Sequence, residues 1–185
     1  MQVKMDDRIS IKEIIDTQLT PYVKRIDQEA FYPKHYLQML GKEGYFSSND
    51  DSEKEVILKR VTVIEKTAKI CMTTAFCLWC HFAAIVYITN TENRQLRKKI
   101  LPKLESGELL AGTGLSNPLK TFSNIEKIHL SAKKVENGYI INGSLPAISN
   151  VGIGHAFAFI ARSDELFIMG FIPCDVEGLL MHERT

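Results

Sequence analysis

The residues with the most explicit chemical spacing are Cys77, Cys80 and His81, which spell C-x-x-C-H. In that order two thiols can take up the vinyl groups of a haem and the following imidazole can reach its iron. The motif lies inside a run from Ile70 to Thr91 that contains no Asp, Glu, Lys or Arg. Such a run reads as a buried helix, where the thiols and the imidazole are expected to be core groups rather than a haem anchor. A redox dithiol would need a βαβ setting. A zinc site would need a second ligand pair, and His35, His129, His155 and His182 are scattered along the chain. No metal site is therefore expected. Asn142-Gly143-Ser144 has the spacing of a glycosylation acceptor and reads as a turn. Gly152-Ile153-Gly154 is too short for a dinucleotide fingerprint, and no G-x-x-x-x-G-K-[ST] phosphate loop is present. Arg97-Lys98-Lys99 with Lys103 reads as a solvated helix face. No nucleophile, His and Asp can be assembled by spacing, so no catalytic residue is assigned.

The elements that must carry these groups follow from composition and period. The chain has 185 residues, 45% apolar and 24% charged, which excludes disorder and allows a sizeable core. Its 23 basic and 22 acidic side chains leave a net charge of +1, so no nucleic acid or anionic membrane is expected as a partner. The four cysteines read as reduced thiols, and Met1 to Arg8 carries Lys4, Asp6, Asp7 and Arg8 where a secretory signal has an apolar core. A cytoplasmic location is expected. The uncharged run is long enough to span a bilayer. It also holds Thr73, Thr74, His81, Thr89 and Asn90, which favours the central helix of a soluble domain, with no membrane span.

Apolar spacings of three and four predict a helix from Ile9 to Ile26, interrupted near Pro21. A second starts at Pro33 and ends at Gly41 or Gly44, and Ser47–Ser52 forms a loop that supplies N-caps. A long helix from Glu53 presents Val56, Ile57, Val61, Ile64 and Ala68; the uncharged helix and a short basic helix stopped by Pro102 follow. After Gly107 the period changes. Strands are expected at Leu109–Leu115, at Ile128–Glu136 and Tyr139–Asn142 around an Asn137-Gly138 turn, and at His155–Ala161 and Leu166–Pro173. Leu179 onward reads as the start of another strand, whose open edge suggests a truncated chain or one completed by a partner. The fold class is α+β: an all-α helical domain over residues 1–107, then a small antiparallel β domain over residues 108–185.

Several motifs in this order resemble the acyl-CoA dehydrogenase family of flavoproteins. Leu101-Pro102-Lys103-Leu104-Glu105-Ser106-Gly107-Glu108 is similar to the family's "YLPKLASGE" junction, and Gly114-Leu115-Ser116-Asn117-Pro118 to its "A-L-T-E-P". Val135 to Gly143 resembles "DGYVLNG", Ile148-Ser149-Asn150 resembles "ITNG", and Val63 to Ala68 resembles "VIEELA". His81 stands where many members carry a histidine.

The resemblance implies an FAD-dependent oxidoreductase of fatty acid metabolism, which removes an α-proton and a β-hydride from an acyl-CoA thioester. Carried over, Thr113, Leu115, Ser116, Ala147, Ile148 and Ser149 would form the flavin wall, with Ser149 where the family usually has Thr and Ala147 where it commonly has an aromatic cover. The Gly-rich "E-P-G-A-G-S-D" becomes Asn117-Pro118-Leu119-Lys120-Thr121-Phe122-Ser123, which departs from the family's acyl-CoA contact. The resemblance also implies a further C-terminal half, absent here, with the Glu base, much of the FAD contact and a homo-oligomer interface. Two other functions therefore stand beside the first: a flavin-dependent monooxygenase, or a non-catalytic module that binds a partner chain.

Overall fold

The computed structural model describes residues 9–48, 52–164 and 166–182. Residues 49–51 of the expected capping loop, and the last three of the expected C-terminal strand, lie outside them. Six α-helices come first: α1 (Ile11–Gln18), α2 (Val23–Glu29), α3 (Lys34–Lys42), α4 (Glu53–Ala68), α5 (Met72–Thr89) and α6 (Arg94–Glu105). A 3₁₀ turn, Thr20–Tyr22, holds Pro21 and separates α1 from α2, the interruption expected there. Ser10 caps α1, and Ser52 and Glu55 form a capping box on α4 in which side chain and backbone satisfy each other's orphan N–H groups.

Two helix expectations need correction. Pro102 does not stop α6, which continues to Glu105. Proline forfeits one intrahelical bond, but the last turn is tied beyond it by Ser106 N–H to Pro102 O (3.0 Å) and Leu109 N–H to Lys103 O (3.0 Å). On α4 the buried residues are Val63 and Thr67, while Ile57 and Val61 are 54% exposed. The reason is polar. Thr67 Oγ1 donates to Val63 O (2.8 Å) and so must accept from the Tyr36 hydroxyl (2.6 Å), which turns that edge of α4 onto α3.

The sheet is mixed rather than antiparallel. Its strands are β1 (Leu110–Thr113), β2 (Leu130–Val135), β3 (Gly138–Gly143), β4 (His155–Ser163) and β5 (Leu166–Pro173). β4 is the hub. It pairs antiparallel with β5 along its whole length, while β1 and β2, both parallel to it, share its other edge. A strand has two edges, so β1 and β2 run end to end, with an additional short helix, α7 (Ser116–Phe122), passing out and back between them. The β2–β3 hairpin forms where the Asn-Gly signal lies, but its two loop residues are Glu136 and Asn137. Gly138, at φ 148°, takes the left-handed conformation, and Asn137 does not. Residues 179–182 form no strand; Leu179 N–H instead bonds Val176 O at 3.2 Å.

β4 alternates Ala and Phe, which lets it serve two cores. Ala156 joins the helical core built on Leu37, Leu40, Leu78 and Ile85, while Phe157 and Phe159 join a second core with Leu130, Ala132 and Cys174. Small residues toward the helices allow α5 to pack closely, and Gly170 on β5 leaves room for the Phe159 ring opposite it. By length and composition α5 could cross a membrane, yet half of it is buried inside the fold, where it is the central helix. At the junction of helices and sheet, Gly41 of α3 lies against Gly107, whose φ is 73°. A Cβ at Gly41 would stand 2.5 Å from Gly107 N and 2.6 Å from Ser106 C and O, all backbone atoms that cannot swing aside. Gly41→Ala should therefore destabilise the protein by roughly 1–3 kcal/mol in denaturant melts, although Ala gains about 1 kcal/mol of helix propensity over Gly.

Candidate functional site

β1 is four residues long, and its two edges meet different partners. On one side it pairs with β4, with Gly114 N–H reaching Ala158 O at 2.8 Å just beyond the strand. On the other, Ala111 and Thr113 present N–H and C=O groups to the α5 side of the molecule. Buried backbone groups must be paired, and here side chains act as the missing strand. Ala111 N–H donates to His81 Nδ1 (3.2 Å), and Ala111 O accepts from Asn150 Nδ2 (2.8 Å). Thr113 exchanges both backbone bonds with Ser149, at 3.2 and 3.3 Å. Gly112 between them is sterically required, because a Cβ there would fall 1.9 Å from Ser149 O.

His81 is fully buried. Since Nδ1 accepts from an N–H, the proton sits on Nε2 and donates to Leu104 O at 3.1 Å. One imidazole thus joins α5, the end of α6 and β1. Burial disfavours the imidazolium and lowers its pKa to about 4. Its neighbours in the C-x-x-C-H motif are also structural. Burial raises Cys77 to about 11 and Cys80 to about 12, so neither is a thiolate at neutral pH. Cys80 faces the Ser149 hydroxyl, whose polarity partly offsets that rise. All four cysteines are free, and among the described residues no three of His, Cys, Asp and Glu converge as metal ligands.

The bridge brings two of the six candidate wall residues, Thr113 and Ser149, into direct contact. Residues paired in this way project side chains to one face, and Ser149 faces α5, so Thr113 does as well. Thr113 Oγ1 is the one buried side-chain oxygen or nitrogen among the described residues without a hydrogen-bond partner. Leu115 is half-buried at the start of α7, Ser116 is exposed on its first turn, Ile148 packs into the second core, and Ala147 is exposed. The set offers an orphan hydroxyl and nearby backbone groups on the side toward α5, and its exposed members, Ser116 and Ala147, take no part in that contact. It supplies no aromatic face at residue 147. Where the resemblance has a Gly-rich turn the chain builds α7, clamped by Asn117, which is 2% exposed. Asn117 donates to Glu126 Oε2 (3.1 Å) and Lys127 O (2.9 Å) and accepts from His129 N–H (3.0 Å).

Sequence reasoning missed α7, the Asn117 clamp and the participation of Tyr32, whose hydroxyl donates to Asn150 Oδ1 at 2.7 Å. The last of these spans 118 residues, and no local pattern encodes it.

A model of the family described as "Acyl-CoA dehydrogenase, N-terminal domain" matches residues 7–108. Among curated proteins the chain is similar to the short-chain specific acyl-CoA dehydrogenase of Clostridium acetobutylicum, 24% identical over 162 residues, covering 85% of this chain and 42% of that one. Among solved structures it is similar to butyryl-CoA dehydrogenase from Megasphaera elsdenii (TM-score 0.77, 20% identity, 96% of this chain and 51% of that one). It is similar too to a glutaryl-CoA dehydrogenase from Mycobacterium smegmatis in complex with FADH2 (TM-score 0.73, 19% identity, 91% and 44%). The chain spans less than half the length of the curated relatives it matches.

The buried imidazole carries a pH signature. The unfolded chain takes up a proton at His81 near the ordinary value of 6.5, and the folded one only near 4. Its contribution is therefore intact above pH 6.5 and is lost as pH falls from 6.5 toward 4, by up to about 3 kcal/mol. Urea unfolding at pH 7 and pH 4.5 should show that loss. Burial also lowers His155, in the same direction. His81→Gln, which keeps a donor and an acceptor without titrating, should flatten the larger part of the dependence.

Proposed function

We propose, because the chain belongs to the acyl-CoA dehydrogenase family, that it is the N-terminal and partial middle region of an FAD-dependent oxidoreductase acting on an acyl thioester. The observation that carries the flavin reading is the buried, unpartnered Thr113 hydroxyl beside the Thr113–Ser149 bridge. A buried hydroxyl left unpaired costs about 1–3 kcal/mol, and a polar ligand edge offers it a partner. FAD, when bound, would supply the hydride acceptor for α,β-dehydrogenation. Thr113, with the backbone of Leu115 and Ser116, would orient the polar edge of the ring. The segment 147–149 would flank it, and α5 with the second core would keep water from that wall. No side chain of this chain is assigned the α-proton. α7 and its Asn117 clamp stand in place of a Gly-rich turn, so the thioester's carrier group would be held differently than by such a turn.

A second reading has its own observation. α5 exposes Met72, Phe76 and Trp79, and the Phe76 and Trp79 rings stack at 5.8 Å with 51% and 50% of each residue in solvent. An apolar helix face of this kind supports a chain that works within an assembly, with a partner over α5. Sedimentation showing a well-behaved monomer at micromolar concentration would contradict it.

The primary test is a visible absorption spectrum of the purified chain, followed by identification of the acid-released cofactor. The expected result is bound FAD, or its uptake on addition, with Thr113→Val weakening binding by about tenfold. A colourless protein that takes up no FAD would overturn the reading.

A further inference from the structure

Asn150 is the most heavily tethered residue of the segment that flanks β1. Its backbone is left-handed (φ 57°), its Nδ2 donates to Ala111 O (2.8 Å), and its Oδ1 accepts from the Tyr32 hydroxyl (2.7 Å). Its carbonyl accepts from His155 Nδ1–H at 3.2 Å, and the His155 ring meets Tyr32 edge-on at 5.2 Å. Tyr32 itself lies between α2 and α3, in a different part of the chain.

We propose that Tyr32 and Asn150 form a latch that fixes the 147–150 segment against β1, which makes them positioning residues for the flavin wall. The inference rests on the flavin reading above. The bonds that register Thr113 against Ser149 are long, at 3.2 and 3.3 Å, and belong to an isolated bridge with no ladder to reinforce it. The latch bonds are shorter and join the segment to two separate elements, β1 through Ala111 and the α2–α3 connection through Tyr32. Asn suits the position twice, because it tolerates a left-handed backbone and carries both a donor and an acceptor. Any carrier chemistry for the Thr113 hydroxyl and the Ser149 backbone depends on a register that this pair of side chains sets. The bonds the latch makes are to Ala111, Tyr32 and His155, so it acts through the segment it holds.

The test is a double-mutant cycle with Tyr32→Phe, which keeps the ring and removes the hydroxyl, and Asn150→Gly, which keeps the left-handed backbone and removes the amide. Two quantities are read for each protein: the FAD dissociation constant by titration, and amide hydrogen exchange at Thr113 and Ser149. Each variant is expected to retain the wild-type far-ultraviolet circular dichroism. Tyr32→Phe should bind FAD about tenfold more weakly and exchange those amides about tenfold faster, and Asn150→Gly, which also loses the Ala111 bond, should do both to a greater extent. Tyr32→Phe should add nothing further in the Asn150→Gly background, because the bond it removes is already gone. Tyr32→Phe that binds FAD and exchanges as the wild type does, or effects that add, would overturn the latch. If the wild-type chain takes up no FAD, the flavin reading fails by itself and exchange alone decides the latch. Faster exchange in Tyr32→Phe then supports it as the device that sets the segment, and unchanged exchange overturns it.

Discussion

The free edge of β1 is the constraint on which the rest of this structure depends. A strand of four residues that pairs on one side only, inside a junction between helices and sheet, leaves buried N–H and C=O groups that must find partners. Among the described residues no further strand pairs there. The imidazole of His81, the amide of Asn150 and the backbone of Ser149 supply the bonds instead. Those partners come from two stretches of chain, α5 and the 147–150 segment, so satisfying one short edge brings both of them and the sheet into a single arrangement. Gly112 follows directly, since any larger residue would drive a Cβ into the Ser149 carbonyl.

This gives the C-x-x-C-H motif its meaning. Its residues sit on the buried face of the central helix, and their chemistry is muted rather than activated: burial raises the thiols and lowers the imidazole. A neutral histidine with both nitrogens engaged is a two-ended connector, donating to one backbone group and accepting from another. No aliphatic residue can do this, and an amide side chain can do it only approximately. The buried half of the same helix is packed by α4, α6, β1 and β4, which accounts for its apolar residues there, while Met72, Phe76 and Trp79 lie on the exposed half.

Much of the architecture was legible in the sequence because it is written in local terms. The periods of three and four, an N-cap supplied by the Ser47–Ser52 loop, Pro21 at an interruption and the switch of period after Gly107 each report nearby physics, and the helices and strands form at those places. What was not legible depends on distant partners. The buried edge of α4 is chosen by Tyr36 through Thr67, and Pro102 is carried inside α6 by bonds made beyond it. The parallel pairing of β1 and β2 with β4 is likewise a long-range outcome. Of the six wall residues named from the resemblance, the structure joins Thr113 and Ser149 and packs Ile148 behind them, while Ser116 and Ala147 stand in solvent. Tyr32 carries no motif at all, and its role exists only because the fold brings it to Asn150.

The most direct measurement is the protonation of His81 by long-range ¹H–¹⁵N correlation spectroscopy of its imidazole across a pH titration. A histidine that completes the β1 edge must carry its proton on Nε2, keep Nδ1 as an acceptor and remain predominantly neutral from pH 8 down to pH 5. A proton on Nδ1, or a titration centred near the ordinary value of about 6.5, would mean that the β1 edge is not closed by His81 and that the junction is held some other way.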